Sequence, residues 1–179
     1  MRLFLFYLLV CVTLFNHNLE STASKSVKNV LVIGCGRSGT AYISKFLKAS
    51  GIDAPHEHRM GSDGCVSWLM TADVHWAPWG PLFRNYKFRH IFHQVRNPLK
   101  VIQSFYNVPP SASWEWICKV IPEIKMFEPN LVKCAKYWFY WNRLAASRAE
   151  WTYRIEDFDE VFCISPAERN PRSSQPSRQ

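Results

Sequence analysis

The apolar positions of this chain fall into short continuous runs and longer helical stripes. Val30-Leu31-Val32-Ile33 is apolar without interruption, the mark of a short strand covered on both faces. It empties into Gly34-Cys35-Gly36-Arg37-Ser38-Gly39, after which residues 40–50 carry Ile43, Phe46 and Leu47 at helical spacing and Gly51 as a stop. A second, partly alternating run at 89–95 predicts another strand, and Pro98 just beyond it suits the first turn of a helix. Residues 65–70 read as a short helix and 76–79 as a loop. A long helix is predicted over 131–149, with Leu131, Ala135, Trp138, Asn142 and Ala145 along one face, and a strand over 151–155. The aromatic cluster from Tyr137 to Trp141 runs nearly all round that helix, which predicts core packing rather than a platform for sugar rings. Short strands alternating with helices imply an α/β fold with a mostly parallel sheet and ligands at the C-terminal strand edges.

The glycine-rich turn between strand and helix is the strongest chemical feature. Small residues there let backbone N–H groups converge on an anion at the positive end of the helix dipole, and Arg37 adds a fork of donors for phosphate or sulfate oxygens. Three readings compete. An ATP- or GTP-binding loop needs a lysine before the Ser/Thr, but Thr40 follows Gly39 directly. A dinucleotide-dependent oxidoreductase would use Gly34, Gly36 and Gly39 as G-x-G-x-x-G, with Asp53 as the ribose-binding acid. A sulfonate-donor loop would let a cation inside the turn do the work of the lysine, without a metal. Arg96, at the edge of the second strand, decides among them, because Ser104 lies two helical turns on and can face it. Together they can grip one phosphate monoester.

These two motifs resemble the P-loop sulfotransferase superfamily, whose donor is 3′-phosphoadenosine 5′-phosphosulfate. The likeness runs from about residue 27 to residue 158, and the R-S-G-T form of the loop is closer to Golgi carbohydrate and tyrosylprotein sulfotransferases than to cytosolic ones. It implies a P-loop NTPase-like three-layer α/β fold with a mostly parallel central sheet. It also implies that Cys35, Gly36, Arg37, Ser38, Gly39 and Thr40 hold the 5′-phosphosulfate while Arg96 and Ser104 hold the 3′-phosphate. The implied reaction moves a sulfuryl group to a hydroxyl or amine of a carbohydrate or protein-linked acceptor. In the tyrosylprotein branch the base is a Glu after the loop helix, a place that Glu57 matches; His56 is its rival, since imidazole titrates near neutrality. Arg37 is the expected transition-state stabiliser. His93 reads as a hydrogen-bonded strand histidine rather than a catalyst.

Composition places the chemistry. With 179 residues, 47% hydrophobic, the chain suits one domain, and its net charge of +8 favours anionic ligands. The basic residues are scattered and no nucleic-acid motif is present, so nucleic acid is not an expected partner. Residues 1–23 combine Arg2, an apolar run over 3–15 and Ser21-Thr22-Ala23, which predicts a signal peptide or a signal anchor and hence the secretory pathway, as a Golgi lumenal or membrane-anchored domain or a secreted one. Beyond Cys11, five cysteines remain, an odd number; Cys118 with Cys134, or Cys65 with either, are the candidate bridges, and Cys35 is expected unpaired. No Cys/His spacing argues for a metal. The folded domain is placed at 24–164, and 165–179, lacking aromatic and β-branched residues, is expected to be disordered. Sulfotransferases continue past the last strand into a basic, glycine-containing closing segment that is not read here. The expectation is therefore a sheet incomplete at the C-terminus and a truncated chain that turns over slowly or only binds its donor.

Overall fold

The computed structural model describes residues 25–72, 85–107 and 112–158. Four parallel strands, β1 (Ser26–Gly34), β2 (Gly64–Val66), β3 (Tyr86–Val95) and β4 (Trp151–Arg154), lie in the order β2-β1-β3-β4. Between β1 and β2 runs α1 (Thr40–Ala49). Between β3 and β4 run α2 (Pro98–Tyr106), α3 (Ala112–Val120) and α4 (Asn130–Ala146). The two crossovers step outward in opposite directions from the sheet centre, so right-handed connections put their helices on opposite faces. Side-chain alternation along β1 agrees: Val32 packs with Ile43 of α1, whereas Leu31 and Ile33 pack with Ala145 of α4. The third and largest cluster lies among α2, α3 and α4, where Phe105, Trp114, Trp116, Tyr137 and Trp141 are buried together.

Three local expectations change. Residues 65–70 are not a helix: Cys65 and Val66 belong to β2, and a 3₁₀ turn follows at Leu69–Thr71. A three-residue strand shows no period, and the deciding feature is Gly64, where a Cβ would sit 1.7 Å from the Val30 carbonyl oxygen across the ladder. The buried residues of α4 are Lys133, Cys134, Tyr137, Trp141, Asn142 and Ala145; the predicted face holds at Asn142 and Ala145 but not at Leu131, which is 59% exposed. The aromatic core beneath α3 outcompetes the more regular apolar stripe; Tyr137 and Trp141 are core residues with Trp138 and Tyr140 packed against them, as predicted for the cluster, but Phe139 is exposed. Finally, α4 ends at Ala146 and β4 at Arg154, with Ile155–Phe158 as a 3₁₀ turn. The leader at 1–23, the loop at 76–79 and the tail at 165–179 lie outside the described residues, among which no helix is long and apolar enough to cross a membrane.

Candidate functional site

At the C-terminal end of β1 the chain turns through Arg37 at φ 70° and Gly39 at φ 92°, both left-handed, to enter α1. The loop's carbonyls are turned inward onto fixed donors. Cys35 O accepts from Ser38 N (3.2 Å), Arg37 O from Arg96 Nη1 (3.0 Å) and Ser38 O from Gln94 Nε2 (2.7 Å), whose own Oε1 accepts from Tyr153 (2.8 Å). One loop N–H, that of Gly36, is used by the Tyr137 hydroxyl at 2.9 Å. Among the described residues none accepts from the N–H groups of Arg37, Gly39, Thr40 or Ala41, and α1 begins with neither a side-chain cap nor an acid in its first turn. An uncapped helix start with its carbonyls tied back presents donors and a positive dipole end to whatever anion arrives.

Around this opening is a cleft of about 390 Å³ lined by Gly36, Arg37, Gly39, Thr40, Ala41, His56, Glu57, Trp68, Arg96, Ser104, Phe105 and Ser113. Arg37 Nε donates to Ser104 Oγ at 2.9 Å, so the two motifs, 67 residues apart, meet across it. Their neighbour Arg96 is fixed from behind, its carbonyl accepting from Trp138 Nε1 at 3.2 Å. A second cleft of about 290 Å³ shares Gly39 and Arg96 with the first and continues past Tyr42, Lys100, Ile155 and Glu156.

Glu57 reaches the same edge because residues 54–57 run up beside β2: His56 bridges Val66 in parallel, and Glu57 N donates to Val66 O at 2.9 Å. Its backbone is left-handed, at φ 63°. Burial pushes the Glu57 carboxyl up to about 7, and its Oε2 is buried with no hydrogen-bond partner among the described residues. Oε1 lies 2.9 Å from His56 Nε2, which is also 2.9 Å from Thr40 Oγ1. Burial, with the neighbouring His58, lowers the His56 imidazole below its ordinary value, so at neutral pH the ring is uncharged. The sequence posed Glu57 and His56 as rivals; the fold sets them 2.9 Å apart, with His56 bonded in turn to Thr40, the first residue of α1.

No family model, curated protein or solved structure matches this chain. The functional reading therefore stands on the arrangement of its own residues.

Of the residues singled out from sequence, Gly36, Arg37, Gly39, Thr40, His56, Glu57, Arg96 and Ser104 line the first cleft together. Cys35 and Ser38 lie beneath it, fully buried; the Cys35 thiol is raised out of its ordinary range by desolvation, and Ser38 Oγ has no hydrogen-bond partner among the described residues. Their part in the loop is through the backbone. Asp53 is nowhere near. Its carbonyl accepts from Gly64 N (3.3 Å) and its Oδ2 from Ser62 N (2.6 Å), at the level of Val30, about 13 Å down β1 from Gly34 at the rise of a strand. The acid that motivated the dinucleotide reading thus sits toward the wrong end of the sheet. His93 is buried and bonded on both nitrogens, to Thr152 at 3.1 Å and Asn142 at 3.0 Å, the structural role expected of it. Cys35, Cys65, Cys118 and Cys134 are all free thiols, so none of the bridges considered among the last three is formed. Trp68, Phe105 and Ser113 were not singled out from sequence. Trp68 lies just past the C-terminal end of a parallel strand, where ligands gather, but that strand reads as helix in the sequence, which carries no clue to it.

Proposed function

We propose that this chain is a sulfotransferase-type domain that transfers a sulfuryl group from 3′-phosphoadenosine 5′-phosphosulfate to a hydroxyl or amine on a carbohydrate or protein-linked acceptor. The observation that carries the reading is the meeting of Arg37, Arg96, Ser104 and the Glu57–His56 pair around the uncapped start of α1. The loop N–H groups and Arg37 hold the phosphosulfate, a P-loop-like arrangement in which an arginine inside the turn does the work of the nucleotide-binding loop's lysine. Arg96 and Ser104 take the 3′-phosphate, and the adenosine half extends across Arg96 into the second cleft, against Tyr42, Lys100 and Ile155.

Transfer needs an in-line acceptor oxygen, a proton acceptor and donors around the equatorial oxygens of the moving group. Glu57, ionised above a pH of about 7, accepts the proton. His56 lies 2.9 Å from its Oε1, and Arg37 with the α1 dipole stabilises charge on the leaving phosphate. The leader read at 1–23 would place this chemistry in the secretory lumen.

The test is donor identity. Titration with 3′-phosphoadenosine 5′-phosphate should raise the melting temperature progressively, because a ligand that binds only the folded state stabilises it by mass action, whereas NAD should not. Stabilisation by NAD alone would overturn the assignment.

A further inference from the structure

We infer that Trp68 is the wall on which the acceptor stacks and that the acceptor presents a phenolic ring, an inference that rests on the sulfotransferase reading of the same cleft. Trp68 lies two residues beyond Val66, the end of β2, whose carbonyl holds Glu57 N, and both Trp68 and Glu57 line the cleft at this sheet edge. The ring is anchored by Trp116 and Trp141, with centroids 5.3 and 5.5 Å away, and by a hydrogen bond from Trp141 Nε1 to the Trp68 carbonyl. What remains of this half-buried indole lines the cleft beside Phe105. Such a surface is rigid before any ligand arrives, and stacking on it costs little ordering.

The polar groups of the cleft select among ring-bearing acceptors. Arg37, Arg96 and Ser104 are committed to the donor, and Thr40 is bonded to His56. Beside the two aromatic walls stands Glu57, whose Oε2 has no hydrogen-bond partner among the described residues. A pyranose would bring several hydroxyls into that space, each costing free energy unless partnered. A phenol brings one, and Glu57 receives it. Acidity points the same way: a phenol ionises near pH 10, so it surrenders its proton to a carboxylate of about 7 far more readily than an alcohol does. In the step, the sulfur–oxygen bond to the donor's 5′-phosphate breaks and the electron pair leaves with 3′-phosphoadenosine 5′-phosphate. A new bond forms from sulfur to the phenolic oxygen, whose proton passes to Glu57.

The experiment uses the full chain with labelled donor, 4-methylphenol and a tyrosine-containing peptide as acceptors, methyl β-galactoside and a glycan panel as competitors for the assignment, and Trp68→Leu and Trp68→Phe as variants. Binding of 3′-phosphoadenosine 5′-phosphate is measured in parallel for every variant, which also reports that each is folded. The expected result is sulfation of the phenol or the tyrosyl peptide, the two arms separating a small phenol from a protein-borne one. Trp68→Leu should raise the acceptor KM at least tenfold with donor affinity within twofold of the parent, and Trp68→Phe should restore most of the loss. Turnover of glycans but not phenols, or an acceptor KM indifferent to Trp68→Leu, would overturn the inference while leaving the donor assignment intact. Failure to bind 3′-phosphoadenosine 5′-phosphate at all would overturn the donor assignment, and the inference with it.

Discussion

Two helices begin at the same edge of the sheet, each entered from one of two paired strands, and they begin differently. At α2, Asn97 caps Leu99 N through its side chain at 2.9 Å, Pro98 fills the first turn and Glu156 Oε1 accepts from Asn97 N at 2.8 Å. A side-chain cap, a first-turn proline and a carboxylate on the capping residue's own N–H are all present. At α1 none is. A left-handed glycine replaces the cap, and loop carbonyls are bonded to Gln94 and Arg96 instead of competing for the free N–H groups. α4 also begins without a side-chain cap, so what sets α1 apart is that its first residues, Thr40 and Ala41, line the cleft shared by Arg37, Arg96 and Ser104.

The comparison can be broken first at the proton acceptor. Glu57→Gln keeps the size and hydrogen-bonding shape of the side chain at α1's open end and removes its basicity, so turnover should fall by ~10²–10⁴ with donor affinity unchanged. The parent's turnover should rise as pH passes about 7, the value to which burial lifts the carboxyl, and the variant should lose that limb. Because this carboxyl is raised, the unliganded fold is favoured fully below its unfolded value of about 4.5 and loses that contribution as pH rises through about 7. Near-normal turnover in Glu57→Gln together with loss in His56→Ala would move the base to the imidazole.

A smaller effect is expected of Arg37→Ala. If the loop works on the transition state, kcat should drop by at least ~100-fold with a lesser change in donor affinity. Loss of affinity alone would make Arg37 a holder of the ligand and nothing more.

Smaller again are the phosphate contacts. Arg96→Ala or Ser104→Ala should each weaken 3′-phosphoadenosine 5′-phosphate by about 1.5–3 kcal/mol, the range for hydrogen bonds to charged groups. Adenosine 5′-phosphosulfate, without a 3′-phosphate, should be almost unaffected; equal losses for both, read by calorimetry, would contradict the placement. The mildest substitution is the control, Asn97→Ala, which should cost about 1 kcal/mol of folding stability in urea denaturation and leave donor affinity in place. A collapse of donor binding in that variant would mean that the two helix starts are not separable.

Much of this arrangement was legible in the sequence, and for identifiable reasons. The strand 30–33, the loop and α1 were readable because continuous burial, left-handed glycine and helical spacing all mark the residues themselves. Arg96 and Ser104 were readable because a helix fixes how far apart two facing side chains fall. What escaped depends on neighbours distant in the chain. β2 exists because Gly64 admits the Val30 carbonyl, and the buried face of α4 is chosen by aromatic partners on α3. Asp53 had a suitable spacing, but the turn after α1 returns the chain to the other end of the sheet. The pairing of Glu57 with His56, and with Thr40 beyond it, follows from a single parallel bridge to Val66 that no local pattern announces.

The most direct measurement compares the two helix starts in one sample. In a ¹⁵N-labelled protein titrated with 3′-phosphoadenosine 5′-phosphate, the amide resonances of Arg37, Gly39, Thr40 and Ala41 should move most, because these N–H groups have no acceptor among the described residues until the anion supplies one. The amide of Leu99, already bonded to Asn97, should barely move. Saturable shifts of that kind would establish the open end of α1 as the anion site. Shifts centred elsewhere, or none at concentrations that saturate a sulfotransferase, would contradict it.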